Sequence, residues 1–156
     1  MTNKITICLW FDNQAEEAAI FYTTVFKNSK IESITRYGKE GFEIHGQQEG
    51  TVMTINFNVN GQSFTALNGG PLFKFNESVS FQVFCENQEE IDDYWDKLTA
   101  GGKESQCGWL KDKFGVSWQI IPDILPVLLK DPAKAGKVTN AFMQMKKFDI
   151  SKLLNA

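Results

Sequence analysis

The chain has 156 residues, 42% of them hydrophobic, enough for one domain with a buried core. Its 16 Lys and Arg against 19 Asp and Glu give a net charge of −3 with the signs mixed throughout, so no basic stripe argues for nucleic acid or an anionic membrane surface. No apolar run reaches the length of a membrane span, residues 1–4 carry no signal-like pattern, and three cysteines without paired spacing fit a reducing cytoplasm.

Residues 4–11 alternate Ile5, Ile7, Leu9 and Phe11 against Thr6, Cys8 and Trp10, which predicts a strand. Asn13 is the expected N-cap, with Glu16 three residues on. The helix that follows, over about 14–27, presents Ala18, Phe21, Tyr22 and Val25 on one face. Strands are expected over about 31–38, 51–59 and 62–69, the last two joined by the hairpin signal Asn60-Gly61. Residues 39–50, with three glycines and several charges, read as a loop.

The pattern then returns. Val79, Phe81, Val83 and Cys85 alternate with Ser80, Gln82 and Phe84. Asn87 caps, Glu90 sits three residues on, and Ile91, Tyr94, Trp95 and Leu98 repeat the first helix face at a constant shift of 73. The preceding strands match at a shift of 74, and this agreement argues for an internal duplication. Gly101-Gly102 stops the helix, and strands follow over about 103–110 and 116–121, with a turn at 111–115. Each half reads βαβββ, in the α+β class, closed by Pro71 and Pro122. Beyond these, 123–130 predicts a short apolar helix with Leu125, Leu128 and Leu129. Pro132 fits the first turn of another helix, burying Val138, Phe142 and Met145. The whole is read as a single domain over 1–156: module one 4–71, module two 78–122, and a helical tail 123–156 packing on the sheet or on a second subunit.

Residues 107–122 (CGWLKDKFGVSWQIIP), with 11–18 (FDNQAEEA), Phe21-Tyr22 and 66–71 (ALNGGP), resemble the PhnB-like branch of the vicinal-oxygen-chelate superfamily. This is the glyoxalase/bleomycin-resistance fold, and the branch is often labelled 3-demethylubiquinone-9 3-methyltransferase. The resemblance covers roughly 4–122. It implies two βαβββ modules forming a curved mixed sheet around a central cavity, with helices outside, and a homodimer. In metal-using members, His and Glu on the cavity strands hold a divalent cation that chelates two substrate oxygens. Gln119 stands where a carboxylate ligand closes the last strand in those members, and alignment of the two prolines sets Asn68 opposite it. The sole histidine, His45, falls in the loop. The expectation is therefore no metal and no cofactor.

By alternation the cavity face gathers Thr6, Cys8, Trp10, Asn68, Ser80, Gln82, Phe84, Ser117 and Gln119, with Trp109 gating it or packing beside it. Such a mildly polar, aromatic surface suits a small aromatic or amphipathic ligand. It also fits a small internal core, with Asn68 and Gln119 serving backbone groups at strand ends. Cys8, Cys85 and Cys107 read as buried apolar filler, since no histidine stands by to activate a thiolate. Asp112 reads as a turn residue. The alternative is an enzyme of the superfamily acting on a quinone-like substrate. Methyl transfer on a dinucleotide-type fold would need a glycine-rich strand–helix turn. The first such turn, Asp12-Asn13-Gln14, has no glycine, and Asn68-Gly69-Gly70-Pro71 runs into LFKF, which does not start a helix.

Overall fold

The structure, a computed structural model, describes residues 5–156. Residues 1–4, including the expected start of the first strand at Lys4, lie outside the described residues. The chain forms two compact units, Met1–Lys74 and Phe75–Ala156. Each is a four-stranded mixed sheet covered by a helix.

In the first unit, β1 (Ile7–Phe11), α1 (Ala15–Val25), β2 (Lys30–Arg36), a short α2 (Phe42–His45), β3 (Val52–Val59) and β4 (Gln62–Asn68) follow in order. The sheet order is β1-β4-β3-β2, with β1 and β4 parallel and the other pairs antiparallel. Period-two alternation turns Ile55, Phe57 and Val59 of β3 and Phe64 and Ala66 of β4 inward. These meet Ala15, Ala18, Ala19, Tyr22 and Val25 of α1, all buried. Phe57 stacks between Tyr22 and Phe64, at centroid distances of 6.1 and 5.2 Å. Each large side chain so buried contributes about 1.5–3 kcal/mol. Phe21, expected on this face, is only half-buried. The Asn60-Gly61 turn forms as expected, with both residues at positive φ (48° and 90°) and Val59 paired with Gln62.

Two expectations need correction here. Asn13 does not cap α1: the cap position is Gln14, which makes no side-chain cap bond. The acceptor for the Ala15 N–H is instead Asn68 Oδ1, at 2.8 Å, from the end of β4. The 39–50 loop contains one helical turn, α2, bounded by Gly41 and Gly46 in left-handed conformations. His45 closes it. Its ring lies 4.6 Å from that of Tyr37, Nε2 meets Glu40 O at 3.0 Å, and Nδ1 accepts from Gln47 N–H at 2.9 Å.

The second unit repeats the plan with β5 (Phe81–Cys85), α3 (Gln88–Thr99), β6 (Lys103–Glu104), β7 (Trp109–Lys111) and β8 (Ser117–Pro122). Its order, β5-β8-β7-β6, and its one parallel pair reproduce the first sheet. Asn87 caps α3, accepting from Glu90 N–H at 2.9 Å. Ile91, Trp95 and Leu98 are buried, whereas Tyr94 is half-buried. The strand expected over 103–110 breaks into β6 and β7, because the chain turns between them with Cys107 and Gly108 at φ 56° and 80°. Gly108 admits no substitute: a Cβ there would overlap the Phe148 ring and lie 2.7 Å from Ile120 O.

Phe148 belongs to the tail, which comprises α4 (Ile124–Lys130), α5 (Ala135–Phe142) and α6 (Ile150–Leu154). The tail docks on its own unit. Cys107 and Gly108 donate to Met145 O and Lys146 O, both at 2.7 Å. Gln88 clasps the far end, donating to Phe148 O and accepting from Ile150 N–H. Leu125, Leu128 and Val138 are buried as expected, but Leu129 stays 38% exposed and Phe142 and Met145 are half-buried. The helix expected from Pro132 begins only at Ala135. The residue before a proline avoids the helical region, so Asp131 is extended, and its Oδ1 holds a turn through Ala133 N–H.

Candidate functional site

Strand register decides which side chains share a sheet face. In the second sheet, Gln82, Gln119 and Trp109 stand in one row across β5, β8 and β7. The face opposite α3 is open, and Gln119 is its hub. Its Nε2 donates to Ser80 Oγ at 2.8 Å and its Oε1 accepts from Gln82 Nε2 at 3.4 Å. Ser117, one row away, is buried, with its hydroxyl 3.5 Å from Asn76 O. Phe84 stands beside Ile121 in the next row and is 53% exposed. Ser80, Gln82, Trp109, Ser117 and Gln119 thus share one surface, with Phe84 at its border.

The surface is held from behind by Asp112, which is buried. Its Oδ1 accepts from Phe114 and Val116 N–H at 2.9 and 3.1 Å, and its Oδ2 from the Trp118 indole at 2.8 Å. One carboxylate therefore closes the 112–116 turn and aligns the start of β8.

In the first sheet, Cys8, Thr65, Asn56 and Ser33 form the corresponding row, and Trp10, Leu67, Thr54 and Thr35 the next. Their polar groups bond to one another. Thr65 Oγ1 donates to Asn56 Oδ1 at 2.8 Å, Asn56 Nδ2 donates to Ser33 Oγ at 3.0 Å, and the Thr35 and Thr54 hydroxyls lie 2.6 Å apart. Ser33, Thr54, Asn56 and Thr65 were not among the expected site residues, although polar residues at 54, 56 and 58 were the available signal. Trp10 is pinned: its indole donates to Gly70 O at 2.8 Å and its ring meets Phe73 edge-on at 5.0 Å. A Cβ on Gly69 would overlap the ring. Thr6 precedes β1 and is exposed.

Asn68 is not on this open face. It pairs with Phe11, so it points toward α1. There its Nδ2 donates to Val52 O at 3.0 Å while Oδ1 receives the Ala15 N–H. The expectation failed because the two prolines are not equivalent. Pairing of Phe11 with Asn68 and of Cys85 with Pro122 makes Asn68 the counterpart of Pro122, and Thr65 that of Gln119. The proline alignment is three residues out, and an odd slip moves a side chain to the opposite face.

The cysteines divide. Cys85 is buried, and burial pushes its thiol up to about 12, with the Glu90 and Asp123 charges adding. Cys8 is exposed, contrary to the filler reading, yet the packing around its sulfur also raises its thiol. Cys107 is half-buried, its Sγ 3.8 Å from Met143 Sδ.

The donor set does not fit a His/Glu-held divalent metal. The first sheet presents Cys8 on its own open face, and the second presents Ser80, Gln82 and Gln119 on its own. Gln119, an uncharged amide, already bonds two neighbours. Among the described residues, no three His, Cys, Asp or Glu side chains come together to hold an ion. A concavity of about 880 Å³ lies elsewhere, between the start of α3 and the tail. Two of its polar side chains are engaged within the chain: Gln88 with residues 148 and 150, and Asp92 with Lys147 at 2.8 Å. A smaller one, about 140 Å³, adjoins Trp109 and includes Lys103 and Lys111. Among the described residues no helix is long and apolar enough to cross a membrane.

Comparison with known proteins places these features in a family. Residues 3–121 match the family described as 3-demethylubiquinone-9 3-methyltransferase. A PhnB protein from Bacillus cereus, carrying that same description, is 39% identical over 77% of this chain and 99% of its own, with a TM-score of 0.68. A protein from Pseudomonas aeruginosa is 17% identical over 78% of this chain and all of its own, with a TM-score of 0.59. The fosfomycin resistance protein FosX from Listeria monocytogenes is 17% identical over 83% and 98%, with a TM-score of 0.53. The last two share the fold. No curated protein matches.

Proposed function

The chain belongs to the 3-demethylubiquinone-9 3-methyltransferase family, the PhnB-like branch of the vicinal-oxygen-chelate superfamily, and we propose that it binds a small aromatic or amphipathic molecule, without a metal, on the open face of its second sheet. The observation that carries this reading is the hydrogen-bonded Ser80–Gln119–Gln82 string, whose two amides stand in one row with Trp109. Amides and hydroxyls orient a ligand by hydrogen bonds, and an indole supplies stacking area. The 3.4 Å Gln82–Gln119 contact is long for an N–H···O bond, so both amides can re-pair with a ligand at small cost. None of these groups is a base near neutral pH, which favours binding over proton abstraction. The methyl transfer in the family's description lacks support here, since neither strand–helix turn, 12–14 nor 86–87, contains glycine.

The test combines metal analysis of the purified protein with thermal shift against phenols and quinones, with and without EDTA. A stabilising aromatic ligand, indifferent to EDTA and lost in Gln119→Ala and Trp109→Ala variants that still fold, is the expected result. Stoichiometric divalent metal whose removal abolishes binding would overturn the metal-free reading. Ligand stabilisation undiminished in both variants would move the site elsewhere.

A further inference from the structure

On the open face of the second sheet, β6 and β7 set Lys103 directly opposite Lys111. Like charges facing each other across an antiparallel pair are unfavourable. The chain answers with Glu77, whose Oε1 lies 2.6 Å from Lys111 Nζ. The Lys111 hydrogen bond is the main cause holding the Glu77 carboxyl below its ordinary range, with the Lys103 charge adding. Glu77 comes from the segment ahead of β5, anchored beside it where Asn76 O meets the Ser117 hydroxyl. Its side chain is 63% exposed, so it can turn into water.

Glu77, Lys103 and Lys111, with Trp109, line the concavity of about 140 Å³. Glu104 also borders it, but its carboxylate is engaged on the other side of the sheet, where the Trp95 indole and Lys146 bond it at 3.0 and 3.4 Å. The open-face charge is therefore two ammonium groups against one carboxylate. A lysine pair thus faces a carboxylate of the chain itself, one row from Gln119.

We propose that the ligand of this face is an aromatic carboxylate whose anionic group displaces Glu77 from Lys111 and Lys103 while its ring lies against Trp109. This rests on the reading that the open face of the second sheet binds an aromatic molecule. Glu77 then acts as a competing internal occupant, and the apparent affinity is reduced by the fraction of time it holds the lysines.

Benzoate, phenylphosphonate and benzyl alcohol are titrated by NMR into the wild-type chain, Glu77→Gln, Lys111→Met and Lys103→Met, at low and high salt. Benzoate is expected to bind the wild type, to bind Glu77→Gln about tenfold more tightly once the competitor is gone, and to weaken in both lysine variants and in salt. Benzyl alcohol is expected to bind more weakly and to ignore Glu77→Gln. If Glu77 is only a structural ion-pair partner, Glu77→Gln lowers the melting temperature and leaves the benzoate affinity unchanged, which overturns the proposal. Benzyl alcohol binding as tightly as benzoate overturns it while leaving the aromatic-binding reading intact. Phenylphosphonate binding in place of benzoate overturns the carboxylate assignment. Failure of all three probes on every folded variant sinks both readings.

Discussion

Asn68 separates a structural account of the first unit from a ligand-binding one. Its side chain makes two buried bonds, receiving the Ala15 N–H at 2.8 Å and donating to Val52 O at 3.0 Å. Asn68→Ala leaves both partners buried and unpaired. Each costs about 1–3 kcal/mol, so the loss is about 2–6 kcal/mol, a large share of the roughly 5–15 kcal/mol that a domain has in all. With a urea slope of about 2 kcal/mol per molar, a 3 kcal/mol loss moves the midpoint down by about 1.5 M. The assay is urea unfolding followed by far-ultraviolet circular dichroism. The Tyr37 hydroxyl donates to the Asn68 main-chain carbonyl at 2.6 Å, so that contact survives and the loss reports the side chain alone. A fall below about 0.5 kcal/mol at unchanged slope would mean that these bonds contribute nothing net, far under the cost of two buried orphans, and would return Asn68 to the ligand candidates.

Other expectations follow from the same geometry. Asp112→Ala orphans three donors and should cost about 3–6 kcal/mol in urea unfolding, with Asp112→Asn losing less because one carbonyl oxygen remains; a loss under 1 kcal/mol for the alanine would refute the turn-closing role. Gly69→Ala drives a Cβ into the Trp10 ring, so the near-ultraviolet signal should change and stability fall by about 1–3 kcal/mol; an unaltered spectrum would show that the ring is not pinned there. Burial raises the Cys85 thiol from 9.0 to about 12, so above pH 9 the unfolded chain sheds a proton that the folded chain keeps. That stability is fully present below pH 9 and lost as the pH rises toward 12, with a slope of at most about 1.4 kcal/mol per pH unit. Cys85→Ala should flatten the alkaline limb of the stability curve, and an identical limb would contradict the burial cause.

Much of the fold was legible because its signals are local. The alternation in β3 and β4, the Asn60-Gly61 turn and the Asn87 cap each depend on neighbours within a few residues. The duplication was legible because one face repeats at a fixed spacing, and both sheets do share one strand order. What escaped were long-range substitutions for local signals. Asn13 offered a local cap, but Asn68, 53 residues away from Ala15, supplies it. The 103–110 run alternates well enough for one strand, yet the tail's Met145 and Lys146 carbonyls hold the 105–108 turn that breaks it. Of the expected site, the second-unit residues came together because alternation within β5 and β8 is a local rule. Asn68 did not, because placing it required the register between two halves, and proline positions do not measure register.

The corrected register shows how the two open faces differ. Cys8, Thr65 and Asn56 occupy the places of Gln82, Gln119 and Trp109. In the first sheet, small polar side chains bond along the row from Thr65 through Asn56 to Ser33, and Trp10 is fixed by Gly69, Gly70 and Phe73. On that face the polar groups are largely paired among themselves. In the second sheet, two long amides share one weak contact beside an aromatic ring and a lysine pair. The 3.4 Å Gln82–Gln119 contact is weak enough for a ligand to replace, whereas a ligand on the first face would have to break the 2.8 and 3.0 Å bonds of the Thr65–Asn56–Ser33 row. Ligand-dependent stabilisation should therefore respond to Gln82, Gln119 and Trp109 far more than to Thr65 or Asn56, whose substitution should register mainly as lost stability of the first unit. Equal sensitivity of ligand binding to both rows, measured on folded variants, would contradict this division.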